Sequence, residues 1–107
     1  SKASAGALEH LPLAQVTNVA NTLKQFKARG YWITGADHNA GNSVFKADLK
    51  GPLAIVIGGE EKGIRPLVKK QCDFTISIPQ TGSIGSLNAS AASAIIIYEA
   101  FRQRMLG

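Results

Sequence analysis

A layered α/β fold, with a mainly parallel sheet and flanking helices, is the architecture this sequence predicts, and three features carry that reading. Leu53-Ala54-Ile55-Val56-Ile57 is an uninterrupted apolar run bounded by Pro52 and the Gly58-Gly59 pair, the pattern of a central strand buried on both faces of a parallel sheet. Two further β-type segments, Tyr31-Trp32-Ile33-Thr34 and Phe74-Thr75-Ile76-Ser77-Ile78, are rich in aromatic and β-branched residues. Stretches of helical periodicity alternate with them, and that alternation favours parallel pairing because a helix returns the chain across the sheet.

Each element has its own local reason. Residues 1–10 are small and mixed and specify no regular element, while Leu11-Pro12-Leu13 opens a short extended stretch reaching Val16. Asn18 suits the N-cap of a helix over residues 19–29, where Val19, Leu23 and Phe26 fall at helical spacing. Gly30 then suits the left-handed position after a helix end. The strand 31–34 runs into Gly35-Ala36-Asp37, and a polar turn follows over 38–43. Pro66 fits the first turn of a helix over 66–70. The alternating strand 74–78 has one less buried face and is stopped by Pro79. Residues 80–87 form a loop rich in Gly and Ser, and a long helix over 88–105 closes the chain. Ile95, Ile96, Ile97, Tyr98 and Phe101 cover more of that helix than the roughly 100° stripe one sheet needs, so part of this surface wants a second cover.

Composition bounds the function classes. With 107 residues, 45% of them apolar, the chain can build one modest core, a single domain or part of one. The 12 Lys and Arg against 7 Asp and Glu give a net charge of +5, which favours a polyanionic partner but also fits an ordinary basic surface. The lone Cys72 cannot form an internal disulfide and no secretory signal opens the chain, so a cytoplasmic setting is expected. Ser90, Ser93 and Glu99 interrupt the longest apolar stretch, leaving it short of the roughly 20 residues a membrane span needs. Cys72, His10 and His38 lack metal-ligand spacing, so no metal is expected. Tyr31 and Trp32 are expected in core or interface rather than as base-stacking platforms.

Two loops follow strands, where ligands gather in open α/β sheets. Gly58-Gly59-Glu60-Glu61-Lys62-Gly63 leaves the apolar strand; its glycines allow close backbone approach to a ligand and its carboxylates can accept hydrogen bonds. A tight turn with solvated charges explains the same residues. The second loop, Ile78-Pro79-Gln80-Thr81-Gly82-Ser83-Ile84-Gly85-Ser86-Leu87-Asn88, runs straight into a helix. Ser86, Asn88 and Ser90 bring polar groups beside the free N–H groups of the helix start, suited either to a polar ligand or to simple capping. Neither loop has the Gly-Lys-Ser/Thr ending of a phosphate-binding P-loop, a dinucleotide fingerprint or a nucleophile elbow.

Taken together, in this order and separation, the loops resemble the second and third motifs of the SpoU, or TrmH-like, RNA ribose 2'-O-methyltransferases. Ile55-Val56-Ile57-Gly58-Gly59-Glu60-Glu61-Lys62-Gly63-Ile64 is similar to the second, and Ile78-Pro79-Gln80-Thr81-Gly82 through Ser86-Leu87-Asn88-Ala89-Ser90 to the third. Lys2 to Pro12 and Val16-Thr17-Asn18 are similar to the branch that methylates guanosine 2'-hydroxyls in large-subunit ribosomal RNA, so the resemblance covers nearly the whole chain.

The resemblance implies a C-terminal trefoil knot of the SPOUT type, S-adenosyl-L-methionine bound in the knot, an RNA substrate, ribosomal RNA first, and a homodimer. By position, Gly58, Ile78 and Leu87 would hold the adenosine part of the cofactor largely through backbone groups, with Gly59, Pro79, Gly82 and Ser86 also lining its site. Glu60, Ser86 and Asn88 fall at the family's polar active-site positions. Lys62, Arg65, Lys69 and Lys70 could meet RNA phosphates, or form a solvated basic face.

Two departures accompany the match. Gln80 stands where the family usually has Met, making the local pocket surface more polar. The family's first motif, with its asparagine and catalytic arginine, is expected on the N-terminal side of Ser1; Arg29, Arg65, Arg102 and Arg104 sit in other contexts. The chain is therefore read as the C-terminal part of a catalytic domain, containing motifs two and three, that does not methylate RNA alone. A noncatalytic RNA-binding or dimerisation module of the same fold is the alternative, and it predicts no cofactor binding. A nucleotide-dependent enzyme is disfavoured by the missing phosphate-binding patterns.

Overall fold

The computed structural model describes residues 18–58, 63–79 and 89–106. Their elements are α1 (Val19–Ala28), β1 (Trp32–Ala36), β2 (Leu53–Ile57), α2 (Pro66–Lys69), β3 (Phe74–Ile76) and α3 (Ala89–Leu106). The extended stretch expected between Leu11 and Val16 lies outside the described residues, as does most of the loop leading to α3.

The ends of α1 follow from its sequence. Asn18 caps it by accepting the Asn21 N–H at 3.0 Å. At the other end Gly30 takes a φ of +90°, and the Tyr31 and Gly30 N–H groups return to the carbonyls of Phe26 and Lys27. These are the paired bonds of a Schellman turn, and the edge-on contact of the Phe26 and Tyr31 rings, 5.1 Å between centroids, supplies its hydrophobic clasp. Pro66 opens α2 at a position where its missing N–H costs nothing.

The described sheet is wholly parallel, in the order β2-β1-β3. This corrects one expectation: among the described strands β1, not the apolar run of β2, is central, and every residue of β2 is only partly buried. A five-residue apolar run has the same composition at the centre or edge of a small sheet; strand order is set by the crossovers. Of the two places expected for Tyr31 and Trp32, the core is excluded, because both lie at the surface of this chain, with Trp32 57% exposed.

Alternation along the strands divides the sheet into two faces. Ala36, Leu53, Ile55, Ile57, Phe74 and Ile76 meet Val44, Ala47, Leu49, Ile96 and Ala100 in the main core, with α3 over this face. On the other face α1 packs on β1 and on α2, and the chain comes so close at Gly35 that a Cβ there would sit 2.6 Å from Ile64 Cδ1 and 2.8 Å from Cys72 Sγ. The parallel crossover from β1 to β2 contains no helix among its described residues. Val44, Ala47 and Leu49 fill the core from this irregular segment, where a helix usually would.

Candidate functional site

Parallel strands bring their carboxyl ends to one edge, so the residues following β1, β2 and β3 meet there. Gly58 continues β2 by donating its N–H to the Ala36 carbonyl at 3.1 Å, and Asp37 donates to the Ile76 carbonyl at 2.9 Å. Ser77 extends the β3 side, where its N–H and carbonyl pair with Asn42 O and Val44 N. Ile78 is therefore the first residue beyond this ladder. Gly58 and Ile78, the ends of the two motif loops, are both half-buried and flank the end of the central strand. Pro79 follows at the surface.

The local fold explains Gly58 differently from the sequence reading. A Cβ on Gly58 would lie 2.6 Å from the Gly63 carbonyl carbon and 2.8 Å from Ile64 N. The space a side chain would take is filled by the returning end of its own loop, so here glycine serves loop closure; its backbone remains at the sheet edge. Gly63 turns that return with a φ of +68°.

Sequence reasoning missed Asp37 as a feature of this edge. It is 8% exposed. One carboxylate oxygen accepts the Asn39 N–H at 2.9 Å and lies 4.0 Å from His38 Nδ1, while the other is 3.9 Å from Lys69 Nζ. The available signal was a carboxylate directly after an apolar β segment, a position that also suits an ordinary turn residue. Of the basic residues named from sequence, Arg65, Lys69 and Lys70 are exposed, on and around α2, and Lys69 reaches this edge at Asp37. Cys72 is no activated nucleophile, since burial, followed by the charge of Asp73, pushes its thiol pKa up.

Gly59, Glu60, Lys62, Gln80, Gly82, Ser86, Leu87 and Asn88 lie outside the described residues. The edge thus unites Gly58, Ile78 and Pro79 from the sequence-predicted set and adds Asp37. Among the described residues, no helix is long and apolar enough to cross a membrane.

Comparisons with known proteins give the family and the fold. The model of the SpoU rRNA methylase family matches residues 1–98. The chain is 49% identical over 104 residues to the 23S rRNA (guanosine-2'-O-)-methyltransferase RlmB of Shewanella oneidensis, covering 97% of this chain and 42% of that protein. Among solved structures it is similar to the SpoU methyltransferase AviRb from Streptomyces viridochromogenes in complex with AdoMet, with a TM-score of 0.79, 36% identity, and coverage of 95% of this chain and 42% of that one. The A. aeolicus TrmH/SpoU tRNA modifying enzyme matches with a TM-score of 0.76 and 36% identity, over 84% of this chain and 46% of its own. The chain thus spans less than half the length of each of these relatives.

Proposed function

Because this chain belongs to the SpoU rRNA methylase family, we propose that it forms the cofactor-binding part of an S-adenosyl-L-methionine-dependent RNA ribose 2'-O-methyltransferase, with ribosomal RNA as substrate. The observation that carries the reading is the meeting of Gly58 and Ile78 at one carboxyl edge, beside the end of the central strand. That arrangement fits an adenosine: half-buried apolar surface at Ile78 lies near backbone groups beyond the last ladder partners. The AdoMet complex of AviRb, a similar fold at 36% identity, supports the choice of cofactor.

In this reading Gly58, Ile78 and Leu87 hold the adenosine through backbone groups, and Gly59, Pro79, Gly82 and Ser86 complete the lining. Glu60, Ser86 and Asn88 orient polar groups around the reacting centre. The cofactor supplies an electrophilic methyl group on a sulfonium. The chain's contribution is alignment of donor and ribose 2'-oxygen, where correct orientation alone can supply a large share of the rate. A proton must also leave the weakly acidic hydroxyl, and these residues contain no assigned base. The chain alone therefore binds cofactor without turnover. Arg65, Lys69 and Lys70, exposed on and around α2, would meet RNA phosphates. A trefoil knot, a homodimer and a cytoplasmic location complete the proposal, as the resemblance implies.

Calorimetry with S-adenosylhomocysteine and, separately, ATP tests it. Binding of the first and not the second is expected; binding of neither supports a noncatalytic module, and preference for ATP supports a nucleotide-dependent enzyme. Asn88→Ala in the whole protein should lower methyl transfer by more than the loss of a helix cap, about 1 kcal/mol in stability, would explain. Unchanged activity would return Asn88 to a capping role.

A further inference from the structure

The face of the sheet that carries α1 and α2 also carries a run of lysines. Lys27 of α1 donates from Nζ to the Gln71 carbonyl at 3.2 Å, which sets the last turn of α1 beside Lys70, the residue before Gln71. Lys24 stands one helical turn before Lys27, on the same side of α1. From Lys70 the run continues to Lys69, whose Nζ is 3.9 Å from Asp37 at the carboxyl edge of the sheet. All four lysines are exposed. The carboxylates beside them already hold backbone groups: Asp73, 3.6 Å from Lys27, accepts the Ile33 N–H at 2.7 Å, and Asp37 accepts the Asn39 N–H. Among the described residues, Lys24 and Lys70 have no ion-pair partner. The opposite face uses most of its cations within the fold, Arg102 on Glu99, Arg104 on the Leu49 and Gly51 carbonyls and Lys50 on Asp48.

We propose that Lys24, Lys27, Lys70 and Lys69 form a track for an RNA phosphate backbone, running from α1 across the end of α2 to the carboxyl edge; the inference rests on the RNA-substrate reading given above and adds α1 to the docking surface. Like charges gathered on one face without internal partners repel one another, and a polyanion laid across them relieves that repulsion. Lysine suits the task because its ammonium is a compact charge on a flexible stem, able to follow phosphates without demanding one planar geometry. Such contacts fix the position of a strand and carry no base information. The track ends at Lys69, beside the same edge at which Gly58 and Ile78 meet. A backbone held along α1 and α2 therefore arrives at the edge assigned to the methyl donor, and the lysines act by placing the RNA rather than by chemistry.

The test uses the whole protein with Lys24→Ala and Lys70→Ala, singly and together, and measures binding of fluorescently labelled ribosomal RNA across a salt series. The double variant should bind RNA about tenfold more weakly, the scale of two exposed charge contacts. Its plot of log affinity against log salt should become shallower by about 0.7–0.9 for each lysine removed. KM for RNA should rise while S-adenosylhomocysteine affinity and the thermal midpoint hold, a split that general destabilisation would not produce. Lys46→Ala removes the same charge from the crossover on the opposite face and should keep the parental RNA affinity. Parental affinity and salt slope in the double variant overturn the track, and so does an equal loss in Lys46→Ala, which would assign the effect to net charge. Polyglutamate that displaces the RNA as well as unlabelled RNA does, at equal charge concentration, also overturns it and makes this face a dock for an acidic protein. If the double variant does not fold, the single variants decide by the same criteria. A parent protein that fails to bind RNA overturns the substrate reading too, whereas binding by the parent with unchanged variants overturns the track alone.

Discussion

Gln103 of α3 accepts the Leu49 N–H at 2.8 Å through its side-chain oxygen and donates from Nε2 to the Ala47 carbonyl at 2.9 Å. One amide thus does for the irregular crossover what a helix would do internally, satisfying backbone groups beside the buried Ala47 and Leu49. Gln103→Leu should destabilise the protein by about 2 kcal/mol, because it strands a donor and an acceptor without adding a partner. Denaturant unfolding checks this, and an unchanged midpoint would mean the crossover is held by packing and by the bonds of Arg104 to the Leu49 and Gly51 carbonyls without this amide.

The same helix carries a pH-dependent contribution. Glu99 is 6% exposed, and hydrogen bonds from Arg102, then from Gln103, hold its carboxyl pKa down at about 2. A carboxyl whose folded pKa lies below its unfolded value stabilises the fold at pH above the unfolded value, normally about 4.3. That contribution fades as pH falls from there through about 2. Unfolding free energy should therefore drop more steeply with acidification in the parent than in Glu99→Gln. Parallel pH profiles would assign the acid sensitivity to other groups.

Gly58→Ala should be poorly tolerated although Gly58 has no left-handed backbone angle. Its Cβ would enter backbone at 2.6 Å from the Gly63 carbonyl carbon, and such overpacking costs about 1–3 kcal/mol. The loop should shift, so S-adenosylhomocysteine affinity should fall together with stability. Calorimetry and thermal melts on the same sample read both, and a variant equal to the parent in each would refute the tight closure.

The outer face of α3 leaves Tyr98 65% exposed, with Phe101, Met105 and Leu106 also at the surface. The rings of Tyr98 and Phe101 stand 6.1 Å apart, forming one patch. If this patch contributes to the proposed homodimer, Tyr98→Lys should weaken the dimer by at least about 1 kcal/mol, the scale that separates an interface anchor from a bystander. Light scattering across a dilution series measures it. A monomeric parent at micromolar concentration would remove the dimer from the proposal.

Sequence alone determined what depends on contacts within a turn or two. Asn18, Gly30 and Pro66 mark helix ends because a cap, a left-handed residue and a missing N–H act on immediate neighbours. The β segments were legible from composition, and the order and spacing of the two loops identified the family whose model covers residues 1–98. Tertiary structure alone decided that β1 is central among the described strands, that the space beside Gly58 is filled by the returning end of its own loop, and that Gln103 reaches a backbone 54 residues away. It also brought Asp37 against Gly63 and Lys69. Periodicity reports which face of an element is apolar, but not which element covers it; that depends on the path of the crossovers, and the path emerges only when the whole core packs together.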